Sequence, residues 1–249
     1  MNKTHIILSI DDGSADHYRL FKELSARGLP ATFNIVTNRI DGERQLTKAQ
    51  LREIAAHPQM EIAAHGHSHQ NDQEDILRGL TLLRQWLSLP EAPMGFASPG
   101  SRMKQDFVEE NETFLDKLGL LYVRSAENTV LSPRHKALRE QYKDAPKFVF
   151  RNIPQLIYEL KSRFIPSAVM YHDTPLDEVL SLIDLAVGEK AALVLMFHRV
   201  KKEGEYNYEE LWNYDFDQTM RLLDGLVTLR EQGKLEIATT KDVFLRIKK

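Results

Sequence analysis

The chain has 249 residues, 33 Lys+Arg against 36 Asp+Glu, and a formal net charge of −3. Its 42% apolar and 28% charged residues match ordinary globular usage and exclude collagen-like, low-complexity and charge-swollen disordered chains. It has no cysteine, which excludes a disulfide scaffold, a thiol nucleophile, an iron–sulfur cluster and a Cys-type zinc site. Any metal site must therefore be built from Asp, Glu and the nine histidines.

A near-neutral charge without a basic block argues against nucleic acid or a membrane surface as partner. The apolar run over residues 5–10 is too short for a signal-peptide core, and no small-residue cleavage site follows it. No segment reaches the ~20 uninterrupted apolar residues a membrane span needs. The chain as written reads as cytoplasmic.

Residues 6–10 (IILSI) form a strand-like run that ends in Asp11-Asp12-Gly13. A helix follows over 15–27, with Tyr18, Leu20, Phe21 and Leu24 near helical spacing, stopped by Gly28-Leu29-Pro30. Strand 31–36 leads to helix 47–57, with Thr47 as its cap. Strand 60–63 leads to helix 71–88, with Leu77, Leu80, Leu83, Trp86 and Leu87 on one face. Strand 94–97 ends in Ser98-Pro99-Gly100-Ser101, helix 104–118 follows, and 121–124 makes a fifth strand. The stretch 125–155 has a weaker pattern, with 147–153 read as a strand. Strand 167–171, helix 175–188, the fully apolar strand 192–197, helix 215–232 and strand 235–238 complete the chain. This alternation implies parallel strands with right-handed crossovers. Seven or eight units fit a (β/α) barrel better than an open sheet, and no linker or composition shift divides residues 1–249 into more than one domain.

Parallel α/β folds carry their sites at the carboxyl ends of strands, and polar chemistry collects at those positions here. Asp11-Asp12-Gly13 follows the first strand, His65-Gly66-His67-Ser68-His69 the third, Arg124 closes the fifth, and His198 follows the late apolar strand. Taken singly, each has a plain structural reading: a capped turn, a polar loop, a surface arginine, a packed core histidine. If the histidine segment turns helically, His65 and His69 share one face and grip one cation while His67 points elsewhere. Two imidazoles and a carboxylate make a three-ligand site suited to a catalytic divalent metal. A second carboxylate as base and a further histidine as acid complete a kit for metal-assisted hydrolysis of an amide or ester.

These motifs, in this order, resemble the polysaccharide deacetylase (NodB-homology, carbohydrate esterase family 4) pattern. Ser9-Ile10-Asp11-Asp12-Gly13 resembles the family's first motif and Glu61 to His69 its second. Leu193 to His198 resembles the last motif, an apolar strand ending in histidine. The resemblance implies a single distorted (β/α)7 barrel with Asp12, His65 and His69 as ligands to a divalent metal, Zn²⁺ first, with Co²⁺, Ni²⁺ or Mn²⁺ as alternatives. It implies Asp11 as general base, His198 as the acid that protonates the leaving amine, and an N-acylated sugar or polysaccharide as substrate. The third motif departs from the pattern: Ala97 stands where the family carries an arginine thought to orient the base. Arg124 is the first candidate to supply that charge and Arg102 the second. The fourth motif, an Asp with an aromatic residue, has no counterpart. Hydrolysis of a small linear or cyclic amide, or a silent carbohydrate-binding role, are the competing readings. Trp212 is weighed as a sugar-stacking residue against a loop packed down on the barrel. His172 is read as structural, and His5, His17, His57 and His135 as surface or packing residues.

Overall fold

The computed structural model describes residues 3–89, 91–126 and 131–247. Met1 and Asn2, where the N-terminal reading begins, and part of the weakly patterned 125–155 stretch lie outside them. The first half of the chain alternates strand and helix: β1 (Thr4–Asp12), α1 (Asp16–Ala26), β2 (Ala31–Ile35), α2 (Lys48–Ala56), β3 (Met60–Ala64), α3 (Gln73–Leu87) and β4 (Met94–Ala97). Two short helices, α4 (Gln105–Glu110) and α5 (Glu112–Lys117), lead into β5 (Leu120–Ser125). Helices α6 (Pro133–Gln141) and α7 (Lys147–Asn152) precede β6 (Phe164–Pro166) and β7 (Ala168–Val169). Then come α8 (Leu176–Glu189), β8 (Ala192–Phe197), β9 (Arg199–Lys201), β10 (Asn213–Asp215), α9 (Phe216–Glu231), β11 (Leu235–Ile237) and α10 (Thr240–Ile247).

The main sheet is parallel and runs β6-β5-β4-β3-β2-β1-β8-β7. Its two outer members are separated in the chain by Ser167 alone. One bent strand therefore pairs with β5 on one side and β8 on the other, bringing the sheet round into a distorted (β/α)7 barrel. Ser167 holds the bend: its hydroxyl donates to the Ser125 carbonyl, 3.0 Å away. β11 covers the amino-terminal part of β1, Thr4 to Ile6, leaving the carboxyl half to β2. β1 and β8 form the axis of the core; all six residues of β8 are buried, as a strand covered on both faces requires.

The helix starts follow local chemistry. Thr47 caps α2 in a full capping box with Gln50. Asp72 caps α3 and Asp215 caps α9 through side-chain oxygens. Four expectations are corrected. Residues 147–153 are helical, because Phe148, Val149 and Asn152 bury one helical face and the Asn152 amide donates back to the Phe148 carbonyl; their aromatic and β-branched composition mimics a strand. The 104–118 helix is broken at Asn111. Strand 167–171 begins earlier and is split at Ser167. The buried stripe of α3 is Ile76, Gly79, Leu80 and Leu83, while Leu77 is 37% exposed. Gly79 sets that rotation: a β-carbon there would come within 2.9 Å of the Gly66 backbone, so α3 lies directly against the histidine loop.

Candidate active site

The site is assembled at the carboxyl ends of the barrel strands. Asp11, on β1, is 2% exposed. Both its oxygens accept from the Arg124 Nη2 atom on β5, across the barrel mouth. Asn34 on β2 adds a second donor, 2.8 Å from Asp11 Oδ1. Arg124 is 1% exposed and also approaches the Met196 sulfur. Burial raises the pKa of Asp11, but the Arg124 guanidinium, joined by His65 and His198 once acid protonates them, outweighs it and holds the carboxyl down to about 2. Asp11 is thus an ionised, oriented carboxylate in a buried setting. Of the two candidate arginines, Arg124 makes the contact to Asp11, and Arg102 is exposed. Asn34 was not singled out by the sequence, where it lies within an ordinary strand.

Asp12 turns the other way. Its φ of +86° is strained for a residue with a side chain, and Gly13 follows at +89°. Together they turn the chain sharply out of β1. Asp12 Oδ1 lies 3.8 Å from the Nε2 atoms of both His65 and His69.

The histidine loop does not turn helically. Gly66 and His69 both have positive φ, at 78° and 64°, and the loop is folded around one carboxylate. Asp75, in the first turn of α3, accepts from the backbone N–H groups of His67, Ser68 and Gln70 at 2.8, 2.7 and 3.1 Å. It also accepts from the Ser68 hydroxyl at 2.5 Å. A β-carbon at Gly66 would lie 2.5 Å from that carboxylate, so glycine is required there. The bend brings the His65 and His69 rings to 4.8 Å in an edge-to-face arrangement. His67 points elsewhere, with Nδ1 2.9 Å from the Thr37 hydroxyl. His65 Nδ1 donates to the Ala97 carbonyl at 2.8 Å, which leaves the Nε2 lone pair between the two carboxylates, 3.7 Å from Asp11 Oδ2 and 3.8 Å from Asp12 Oδ1. The residue that lacks an arginine side chain thus contributes its backbone oxygen.

The donor atoms of Asp12, His65 and His69 all lie within 4.8 Å of one another. Asp12 Oδ1 is buried and makes no hydrogen bond. Burial lowers the pKa values of His65 and His69 more than the neighbouring carboxylates raise them, so both imidazoles are neutral near pH 7. A buried oxygen without a hydrogen bond, facing two neutral imidazoles with free lone pairs, fits a divalent cation.

His198, directly after β8, is held through its carbonyl, which accepts from His17 Nε2. His17 is fully buried and anchors the loop from α1; the sequence gives no sign of this beyond a histidine on the inward helical face. Burial lowers the pKa of His198, with Asp11 and Asp12 pulling in the opposite direction. Its ring packs 4.8 Å from Trp212, which in turn meets Tyr171 at 5.4 Å. The two sequence readings of Trp212 therefore coexist: it packs on the barrel and, at 47% exposure, also faces the cavity. His172 meets Tyr208 edge to face and does not line the cavity. The cavity, of about 780 Å³, has Asp11, Asp12, His65, His69 and His198 in its wall and α7 along one side.

Fold and site define a parallel α/β barrel with a carboxylate–imidazole cluster at its carboxyl end. Within that class, residues 1–119 match the polysaccharide deacetylase family model. The matched segment contains Asp11, Asp12, His65 and His69 but stops short of Arg124 and His198. Among solved structures, a wild-type carbohydrate esterase family 4 pseudoenzyme from Bacillus anthracis aligns at 15% identity over 98% of this chain and 66% of that one, with a TM-score of 0.50. A mutant of the same pseudoenzyme, described as having restored enzymatic activity, aligns at 16% identity over 98% and 68%, with a TM-score of 0.51. A polysaccharide deacetylase from Bacillus cereus aligns at 14% identity over 71% of this chain, with a TM-score of 0.49, and the chain spans half of that protein's length. The likeness to the two pseudoenzyme structures is one of fold and supports the barrel. No curated protein matches the chain.

Proposed function

We propose that this protein is a divalent-metal-dependent hydrolase that removes an N-acetyl or other acyl group from an N-acylated sugar or polysaccharide, with residues 1–249 as a single catalytic domain. The observation that carries this reading is the convergence of Asp12, His65 and His69 beside the ionised Asp11 in one cavity wall. Asp12, His65 and His69 would hold the ion; Zn²⁺ suits two imidazoles and a carboxylate best, with Co²⁺, Ni²⁺ or Mn²⁺ as alternatives. When bound, the ion supplies Lewis-acid activation of the acyl carbonyl and of water.

Asp11 accepts the proton of the attacking water as general base. Arg124 fixes the direction in which the Asp11 carboxylate faces and keeps it ionised. His198 protonates the leaving amine nitrogen. It is neutral at neutral pH, so it must take up a proton before it can deliver one. Trp212 shields the His198 ring from water on one side.

A second reading, hydrolysis of a small linear or cyclic amide, is favoured by one observation. Helix α7 contributes Lys147, Phe148, Arg151 and Asn152 to the cavity wall, narrowing the space beside the cluster to that of a cavity rather than an open groove. Acid release from N-acetylglucosamine oligomers and from small acyclic and cyclic amides, measured side by side with added Zn²⁺ or Co²⁺, separates the two. Turnover of the oligomers supports deacetylation of sugars, and turnover of the small amides alone replaces it. Full metal occupancy without turnover of any acylated substrate would indicate the silent carbohydrate-binding role.

A further inference from the structure

One cation already sits against the cluster. Arg39, at the end of the short turn Thr37–Arg39 after β2, places Nη1 2.7 Å from Asp12 Oδ1. That is the same oxygen that faces His65 and His69. Asp12 Oδ1 nevertheless has no hydrogen bond, so at this short distance the guanidinium N–H groups are not directed at it. The contact is one of charge, without the orientation a hydrogen bond imposes. The Asp12 carboxylate is aimed instead by the backbone, through the positive φ values of Asp12 and Gly13.

The turn that delivers Arg39 is fastened to the ligand loop. Thr37 N–H donates to the Gly66 carbonyl at 3.3 Å and Asn38 N–H to the His67 carbonyl at 2.9 Å. The Thr37 hydroxyl meets His67 Nδ1. Arg39 is therefore held at the cluster and is absent from the cavity wall that a substrate would touch. The charge balance is then notable: Arg124 neutralises Asp11, and Arg39 neutralises Asp12. The two guanidinium groups match the two carboxylates in number, so Arg39 cancels the negative charge that Asp12 would otherwise present to a divalent ion.

We infer that Arg39 is a built-in counter-cation of the metal site: it stabilises the ion-free state and sets a weak, exchangeable affinity for the divalent ion. The inference rests on the proposed metal site. Two positive centres that share one carboxylate oxygen repel each other, so a bound ion either works against Arg39 or displaces it toward solvent. Arg39 is 35% exposed and has room to swing outward.

The test is Zn²⁺ titration, by calorimetry against a competing chelator, of the intact wild-type protein, Arg39→Met, Arg39→Lys and Asp12→Ala. Arg39→Met keeps the length of the side chain and removes its charge, so it should bind Zn²⁺ tighter by about tenfold or more. Arg39→Lys should stay within about threefold of wild type, because the charge is kept. The gain in Arg39→Met should shrink as salt is raised from 0.05 to about 0.5 M, since a partly exposed repulsion is screened; a purely structural role would show no such dependence. Wild-type binding that disappears in Asp12→Ala, with Arg39→Met binding equally or more weakly, overturns the inference and leaves the metal site standing. Binding that persists unchanged in Asp12→Ala, or is absent from every variant, overturns the metal site and this inference with it.

Discussion

At the scale of single residues, the neighbouring carboxylates of Asp11 and Asp12 differ in role because their surroundings differ. Asp11 is locked by a two-oxygen contact to Arg124 and an amide from Asn34. Asp12 has an oxygen with no hydrogen bond. Replacing Asp11 by Asn should therefore leave metal binding in place and abolish turnover; full activity in that variant removes Asp11 as the base. Arg124→Met strands a buried carboxylate and should lower stability by about 3–5 kcal/mol, read as a shift of the urea midpoint. The loss should be much smaller when Asp11→Asn is also present, because no buried charge is then left unpaired. Equal losses in the two backgrounds would show that the pair is not coupled. The first-motif and second-motif residues were legible in the sequence because each lies directly after an apolar strand. Asn34 and His17 were not, because each acts through a contact with a separate segment of the chain and neither sits in a distinctive motif; Asp75 lies close to its loop partners in the chain, but only the folded loop turns their N–H groups toward its carboxylate.

At the scale of elements, the histidine loop and the β4–β5 pair carry the site. Asp75 gathers four hydrogen bonds from the loop. Asp75→Ala should weaken metal affinity by about 10- to 100-fold, as loss of an outer-shell partner typically does; an unchanged affinity would mean the loop keeps its bend without that carboxylate. Gly95 on β4 is in contact with the fully buried Tyr122 on β5: a β-carbon there would lie 2.1 Å from the tyrosine ring. Tyr122 cannot move aside, since its hydroxyl donates to the buried Glu61 carboxylate at 2.8 Å. Gly95→Ala should therefore cost about 1–3 kcal/mol or more by overpacking, measured as a lowered Tm; a Tm unchanged from wild type would show that the two strands can part. The strand–helix alternation was readable because β8 and the cap at Thr47 have strong local signals. Helix α7 was not readable: its aromatic and β-branched residues suit a strand, and only packing against the barrel makes them a helical face.

At the scale of the whole molecule, the bent run from β6 to β7 closes the barrel and so brings β5 and β1 to opposite sides of one mouth. The Asp11–Arg124 contact spans that mouth. Its pH dependence follows from the carboxylate, whose folded-state pKa is depressed to about 2 from an ordinary value near 4. The stabilisation is fully present above about pH 4 and is lost as pH falls toward 2, when Asp11 is protonated. Acid unfolding of Asp11→Asn should accordingly be shallower than that of wild type across this window. The barrel itself could be anticipated from the repeated units; its closure through Ser167 could not, because a single bent strand and two separate strands look alike in sequence. The central claim is that closure and loop geometry together build one cation site from Asp12, His65 and His69. Anomalous diffraction from crystals grown with Zn²⁺ tests it most directly. The account predicts one strong peak between the His65 Nε2, His69 Nε2 and Asp12 carboxylate atoms, absent from Asp12→Ala crystals. No peak there, or a peak coordinated by other residues, would contradict it.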